Sequence, residues 1–144
     1  MSKINHFLEA CEDNRISEVL SFIDESPDIV FQKNDKGWTG LIVSCFHNHY
    51  ELAKILVENG AEINATNNKG TSVLMYAKTP VMKDNRCGYD LLSFLLDSGA
   101  DINHEDNFNK TILDYCMENN AFELSNWLIN KGAKNSKLFK NKIK

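Results

Sequence analysis

A repeated stretch of sequence constrains the fold of this chain more than any other feature. Residues 57–72 read VENGAEINATNNKGTS and residues 96–111 read LDSGADINHEDNFNKT, so that glycine, alanine, an acid, isoleucine and asparagine recur in one order. Recurrence with a period of roughly 20 to 50 residues is typical of chains in which each unit buries its apolar face against the next unit. The sequence therefore predicts a stacked array of similar units.

The repeated units divide the chain into five segments. Thr39, Ser72 and Thr111 occupy the same place in successive units, with spacings of 33 and then 39 residues, so one unit carries six extra residues. These extra residues fall within 79–88, and we expect them to lengthen the loop between the two helices of that unit. The predicted segments are an N-terminal capping repeat (1–33), a repeat (34–66), a repeat with a six-residue insertion (67–105), a C-terminal repeat (106–134) and a basic tail (135–144).

Each unit combines a helix-start signal with two apolar stripes. The hydroxyl groups of Thr39, Ser72 and Thr111 are suited to accept a backbone N–H at the first turn of a helix. Two residues later each unit has a leucine that we expect to face inward, namely Leu41, Leu74 and Leu113. In the following segment apolar residues recur at i, i+3 and i+4, which is the spacing of one helix face. These residues are Leu52, Ile55 and Leu56, then Leu91, Phe94 and Leu95, then Leu124, Trp127 and Leu128.

Glycine and asparagine mark the turns around each helix pair. A glycine follows the second helix of each unit, where a left-handed residue closes the last turn at little steric cost. These glycines are Gly60, Gly99 and Gly132. Gly37, Gly70 and Asn109 stand in a second turn just before the next helix, and asparagine tolerates the left-handed conformation better than most side chains. The segment between the two turns is therefore predicted to be an extended finger that reverses into the next helix.

The units resemble the ankyrin repeat. Its pattern D-x-x-G-x-T-P-L-H-x-A-A, followed by G-H-x-E-L-x-x-L-L-x-x-G-A-D-I-N, is similar to DKGWTGL, NHYELAKILVENGAEIN and LLSFLLDSGADIN in this chain. The resemblance covers residues 34–134 and implies an all-α repeat solenoid of about four helix-turn-helix repeats with β-turn fingers. In the last copy Asp114 stands at the histidine position of the T-P-L-H motif. We therefore expect a C-terminal cap that is either solvent-facing or differently bonded.

The resemblance also implies non-catalytic protein–protein interaction as the function. Partners of ankyrin-like stacks are held by the turn tips and by the exposed face of the first helices, which line a concave groove. By resemblance the partner-binding residues are Asp35, Lys36, Trp38, Phe46, His47, Asn68, Lys69, Thr71, Asn107, Phe108 and Lys110. We add Met82, Lys83 and Arg86, because the insertion joins a flexible thioether to two cations. The alternative is a free-standing inhibitor, an immunity or antitoxin-like protein, or a microbial effector, each acting by protein binding.

Residues for catalysis, metal binding or a cofactor are not apparent. Cys45, His47 and His49 come closest to a metal-ligand pattern, but Cys45 and His49 stand at regular repeat positions and His47 points away from both. The sequence contains no G-x-S-x-G motif and no glycine-rich phosphate loop. We therefore expect no enzyme activity and no cofactor.

Charge is distributed unevenly along the chain. Residues 131–144 hold six lysines and no acid, which leaves ten basic and twenty acidic residues before them, a balance near −10. Such a body disfavours nucleic acid as a partner. We interpret the tail as a short helix in which Leu138, Phe139 and Ile143 cover the last repeat, or as a solvated basic end.

Composition favours a soluble intracellular protein. The 144 residues contain no run of about 18 apolar residues, and the N-terminus lacks the apolar block of a secretory signal. The four cysteines form no C-x-x-C pair, and three of them fall among apolar helical positions, which fits a reducing compartment. We expect a cytoplasmic monomer that binds a protein, with a secreted effector as the open alternative.

Overall fold

The computed structural model describes residues 2–137, in which eight α-helices follow one another as four pairs. The helices are α1 (Lys3–Glu12), α2 (Ile16–Glu25), α3 (Gly40–Phe46), α4 (Tyr50–Glu58), α5 (Val73–Lys83), α6 (Asp90–Asp97), α7 (Ile112–Glu118) and α8 (Phe122–Asn130). Two short 3-10 helices, Pro27–Phe31 and Asn85–Cys87, follow α2 and α5. Within residues 2–137, β pairing is limited to one isolated bridge between Thr66 and Ser72. The architecture confirms the predicted all-α repeat solenoid.

Hydroxyl side chains begin the first helix of the last three pairs. Thr39, Ser72 and Thr111 each accept a hydrogen bond from the backbone N–H three residues later, at 3.2 Å in all three cases. Such a cap satisfies a donor that has no partner within the helix and contributes about 1 kcal/mol. The predicted helix starts are confirmed.

The turns adopt the left-handed backbone that the sequence predicts. The φ angles are 93° at Gly60, 101° at Gly99, 99° at Gly132, 82° at Gly37, 75° at Gly70 and 61° at Asn109. A further set of left-handed residues lies between the two helices of each pair and was not predicted. These residues are Asn14, Asn48, Gly88 and Asn120, with φ between 56° and 73°.

One continuous core runs through the stack. The inward leucines Leu41, Leu74 and Leu113 are at most 2% exposed, which confirms their predicted direction. In the second helices the first and third residue of each predicted apolar triad are buried, whereas the middle residue is half-buried. The half-buried residues are Ile55, Phe94 and Trp127.

Successive fingers are joined by hydrogen bonds. The backbone N–H of Asn68 donates to Lys36 O at 3.1 Å, and that of Asn107 donates to Lys69 O at 3.0 Å. The side-chain amides repeat the pattern, since Asn68 Nδ2 donates to Asp35 O at 2.7 Å and Asn107 Nδ2 donates to Asn68 O at 3.1 Å. These bonds fix the spacing and the register of the finger tips.

The insertion is only partly a loop, which corrects the prediction that it lengthens the connection between two helices. The helix α5 has 11 residues, whereas α3 and α7 have 7 each, so the insertion adds a helical turn before the chain leaves through the 3-10 helix. Pro80 lies inside this longer helix. The helix continues past it to Lys83, and the N–H of its C-cap Asp84 donates to Pro80 O at 3.0 Å.

The C-terminal cap is differently bonded, and the solvent-facing alternative is wrong. Asp114 is 0% exposed and forms a capping box with Thr111 at the start of α7. Its carboxylate also accepts hydrogen bonds from Asn135 Nδ2 at 2.8 Å and from Ser136 N at 3.1 Å. Asp114 therefore ties the segment after α8 to the last repeat. The predicted tail helix, with Leu138, Phe139 and Ile143, lies outside the described residues.

The cysteines do not form disulfides. Cys11, Cys45 and Cys116 are buried, Cys87 is exposed, and all four are free thiols. Burial raises the pKa of the Cys116 thiol to about 11, against a smaller opposing effect of Lys78. Among residues 2–137, no helix combines the length and apolar character that crossing a membrane requires.

Candidate partner-binding surface

Three aromatic side chains form a cluster where the first two complete fingers meet the helices α3 and α5. The ring of Trp38 lies 4.7 Å from that of Tyr76 and 5.8 Å from that of Phe46, centroid to centroid. The rings of Phe46 and Tyr76 are 5.4 Å apart and nearly perpendicular, an arrangement that aromatic pairs favour. We call Trp38, Phe46 and Tyr76 the aromatic cluster. All three side chains remain partly exposed.

Polar residues of the fingers hold the cluster in place. Asn34 Oδ1 accepts the backbone N–H of Trp38 at 2.9 Å, and Asn67 Nδ2 donates to the hydroxyl of Tyr76 at 2.8 Å. Asn34 and Asn67 occupy the same position in successive fingers, where each also accepts a second backbone N–H. The cluster is therefore anchored on hydrogen-bonded loops and helix ends before any partner arrives.

Two cavities adjoin the cluster, and Lys36 and Trp38 line both. The first cavity, of about 530 Å³, is lined by Asn5, Leu8, Glu9, Glu12, Asn34, Lys36, Trp38, Val43, Phe46 and His47. The second cavity, of about 410 Å³, is lined by Asp35, Lys36, Trp38, Asn67, Asn68, Lys69 and Tyr76. Because they share Lys36 and Trp38, we describe the two cavities together as the finger groove.

The charge of the finger groove changes along its length. The first cavity has two carboxylates, Glu9 and Glu12, against the single amine of Lys36. The second cavity has the carboxylate of Asp35 against the amines of Lys36 and Lys69. The groove is therefore more negative toward the N-terminal repeat and more positive toward the next finger.

Half of the predicted partner-binding residues line the finger groove. These residues are Asp35, Lys36, Trp38, Phe46, His47, Asn68 and Lys69. The side-chain amides of Asn68 and Asn107 already bond to neighbouring fingers, so part of their hydrogen-bonding capacity serves the stack. Thr71 is half-buried, and Phe108 is 58% exposed at the tip of the last finger.

The insertion residues lie in a different place. Met82 and Lys83 line a separate groove of about 410 Å³ with the turn between α7 and α8, and no residue is common to this groove and the finger groove. Since α5 rises about 1.5 Å per residue, its end is roughly 16 Å from the finger that precedes it. Arg86 is bound to Asp84 through Nε and Nη2, both at 3.0 Å.

A second group of polar and aromatic residues extends the face of the aromatic cluster toward α7. Of these, Lys110 was predicted from the sequence, whereas Lys78, Asp106 and Tyr115 were not. Lys78 and Lys110 place their amines 5.1 and 5.2 Å from the ring of Tyr115, whose hydroxyl donates to Asp106. Lys78 is 8% exposed and donates to Met75 O, and its burial lowers the pKa of its amine. Burial first, and then the Asp106 carboxylate, raise the pKa of the Tyr115 hydroxyl. Lys110 also pairs with Glu118 at 3.0 Å.

The sequence contained a signal for part of this face. Tyr76 and Tyr115 each stand four residues after the capping hydroxyl of their repeat, at Ser72 and Thr111. The first complete repeat has Val43 at this position, which hid the pattern. Four residues beyond a cap is one helical turn into the helix, on the side that faces the fingers here.

The residues considered for metal binding do not converge. Cys45 is buried, and His49 Nε2 lies 2.8 Å from the carbonyl oxygen of Glu12. The ring of His47 stacks on that of His49 at 5.8 Å between centroids, which corrects the expectation that His47 points away from it. In the part of the chain that the structure describes, no three side chains of histidine, cysteine, aspartate and glutamate are grouped closely enough to hold a metal ion.

Comparison with known proteins agrees with this architecture. Residues 7–106 match the family model of ankyrin repeats, in three copies. An ankyrin repeat protein of Acanthamoeba polyphaga mimivirus is 31% identical in an alignment of 75 residues, and the alignment covers 47% of this chain and 12% of that relative. Because the family model matches more than half of the sequence, the chain belongs to the ankyrin repeat family, whose repeats generally serve protein–protein interaction and are typically non-catalytic.

Proposed function

We propose that this chain binds a partner protein without catalysis, through the finger groove. The observation that carries the proposal is the aromatic cluster, which is partly exposed and lies between two cavities. Tryptophan and tyrosine dominate the affinity of many interfaces because they bury a large area at little cost in side-chain entropy. The groove offers such a surface already formed.

The rigidity of the surroundings supports this proposal. Trp38 directly precedes the cap Thr39 and is fixed by Asn34, while Tyr76 is fixed by Asn67. Because the loops of the groove are already fixed, binding a partner costs little conformational entropy in them, and the ordering of loops is a main cost of association. Extended concave surfaces of this kind are what stacked repeats present to their partners.

The remaining predicted contact residues fall into two regions. Phe108 is well placed to extend the contact along the finger tips, because Asn107 is bonded to the preceding finger. Met82 and Lys83 line the separate groove beside the turn between α7 and α8, and Arg86 follows them in the insertion outside that lining. All three would contact a partner separately from the finger groove. We therefore propose the finger groove as the main surface and keep the insertion as a second, independent prediction.

The test uses Trp38→Ala together with Phe108→Ala in affinity capture from the native cell extract, beside the wild-type protein. We expect the binding free energy for a specific partner to weaken by about 2 kcal/mol or more, the usual scale of interface anchors, while thermal unfolding stays cooperative. Phe31→Ala is the matched control, because Phe31 is an aromatic side chain that is 56% exposed and lines neither cavity. Unchanged capture by the double variant would contradict the proposal.

Activity measurements on the captured protein also distinguish an adaptor from an inhibitor. If a purified partner keeps its own activity when saturated with this chain, an adaptor is favoured. If the activity of the partner falls in proportion to occupancy of the finger groove, an inhibitor is favoured. The Trp38→Ala variant, added at the same concentration, shows whether that loss depends on the groove.

A further inference from the structure

We infer that the first cavity of the finger groove receives a basic side chain, arginine or lysine, from a segment of the partner protein. This inference rests on the proposed function and names the chemistry of the partner. It depends on three features: two carboxylates that the cations of the lining do not balance, aromatic walls, and the opposite charge of the neighbouring cavity.

The carboxylates are available to a ligand. Glu9 and Glu12 lie on α1, are exposed, and belong to the lining of the first cavity. Within residues 2–137, Glu9 has no ion-pair partner, and Glu12 has only the ring of His47 at 3.6 Å. Lys36, the one amine of the lining, leaves the two carboxylates incompletely balanced. A cation that enters the cavity would supply the missing charge.

The walls of the cavity suit the same type of side chain. Trp38 and Phe46 belong to the lining, and the face of an aromatic ring attracts a cation. An arginine guanidinium stacks on such rings while it donates to carboxylates, and the stem of a lysine also packs on apolar surface. Leu8 and Val43 give that stem an apolar wall.

The opposite charge of the second cavity argues against an acidic occupant of the first. An acidic side chain would be drawn to Lys69 in the second cavity and repelled by the carboxylates of α1, whereas Lys36 lines both cavities and favours neither. The region before the lysine-rich tail is strongly acidic, with ten basic and twenty acidic residues. That charge steers a basic segment toward this protein and raises its association rate.

The test is selection of a displayed library of random short peptides on the full chain, followed by affinity measurement with synthetic peptides. We expect the selected peptides to share an arginine or lysine next to an apolar residue. Their affinity should fall about tenfold in the Glu9→Gln/Glu12→Gln variant and should weaken as salt is added. Both glutamates are exposed, so this variant is expected to keep the unfolding midpoint of the wild-type protein.

Glu25→Gln/Glu58→Gln is the matched control, because it removes the same amount of charge at two exposed glutamates that line neither cavity, and it should alter the affinity by less than about twofold. Selected peptides that bind in a Trp38-dependent way but lack a basic residue would overturn this inference and leave the proposed function standing. Peptides whose affinity is the same in the wild-type protein, in Trp38→Ala and in Glu9→Gln/Glu12→Gln would overturn both this inference and the proposed function. The absence of any selected sequence would do the same.

Discussion

Asparagine fills a left-handed turn in three of the four helix pairs, at Asn14, Asn48 and Asn120, where φ is 56° or 57°. At this position the ankyrin pattern has glycine, followed directly by histidine. A left-handed backbone at a residue with a Cβ normally costs about 1 to 2 kcal/mol of stability. The cost is smaller for asparagine, because its short amide bonds to nearby backbone. At the scale of single residues, this chain therefore keeps the backbone of the repeat while it changes the side chains.

Asp114 provides a residue-scale prediction. Burial raises the pKa of its carboxyl, but hydrogen bonds from Ser136, Thr111 and Asn135 outweigh that effect and leave the pKa below its ordinary value of 3.8. A lowered folded pKa stabilises the protein fully above 3.8, and this stabilisation is lost as the pH falls through the folded value. Asp114→Asn should lower the free energy of unfolding by about 1 to 2 kcal/mol at neutral pH.

The measurement is urea unfolding followed by circular dichroism, near neutral pH and again below pH 3.8. The difference between Asp114→Asn and the wild-type protein should shrink at the lower pH. Asp97→Asn, at an exposed position, should change the unfolding free energy by less than about 0.5 kcal/mol at either pH. A difference for Asp114→Asn that is the same at both pH values would show that the carboxylate charge does not stabilise the cap.

At the scale of helices and loops, features with local causes could be predicted from the sequence. The capping hydroxyls and the glycine turns depend on one residue and its neighbours, and they were predicted correctly. The extension of α5 was not predicted: proline usually ends a helix, whereas here α5 continues past Pro80 to Lys83. The contact of Tyr76 with Trp38 joins two repeats, and sequence spacing gave no direct sign of it.

Pro80 gives the element-scale prediction. Proline has no N–H, so the carbonyl of Tyr76 loses its usual partner inside α5. Pro80→Ala restores that hydrogen bond and should raise the free energy of unfolding by about 1 to 2 kcal/mol, after part of the gain is offset by a more flexible unfolded chain. Chemical denaturation measures the change, with Thr79→Ala in the same helical turn as the control. A loss of stability in Pro80→Ala would mean that the proline mainly restricts the unfolded state.

At the scale of the whole molecule, the candidate surface is a product of stacking. The aromatic cluster takes Trp38 and Phe46 from one repeat and Tyr76 from the next, and the first cavity takes Glu9 and Glu12 from the repeat before. Each repeat contacts only its neighbours in such an array, so stability spreads from interface to interface. The finger groove is therefore present only while the first three repeats remain docked on one another.

Gly40 provides the test of that dependence. It stands where the ankyrin pattern has proline, and a Cβ at this position would lie 2.6 Å from Phe7 Cε2 and 3.2 Å from Cys11 Sγ. Gly40→Ala should therefore force α1 away from α3 and destabilise the protein by about 1 to 3 kcal/mol, the usual cost of overpacking. Because the strain is confined to one interface, hydrogen exchange should accelerate for the amides of α1 and α2 and stay unchanged in α7 and α8.

The control for this prediction keeps the methyl group added by Gly40→Ala and shortens the side chain with which it clashes. Phe7→Leu shortens the side chain that meets residue 40, so Gly40→Ala combined with Phe7→Leu should be less destabilising than the two separate effects added together. Mass spectrometry of deuterium uptake in the four proteins measures both the location and the size of the effect. Uniform acceleration across all eight helices would show that the stack opens as one unit, and additive effects would show that Phe7 and residue 40 do not compete for the same space.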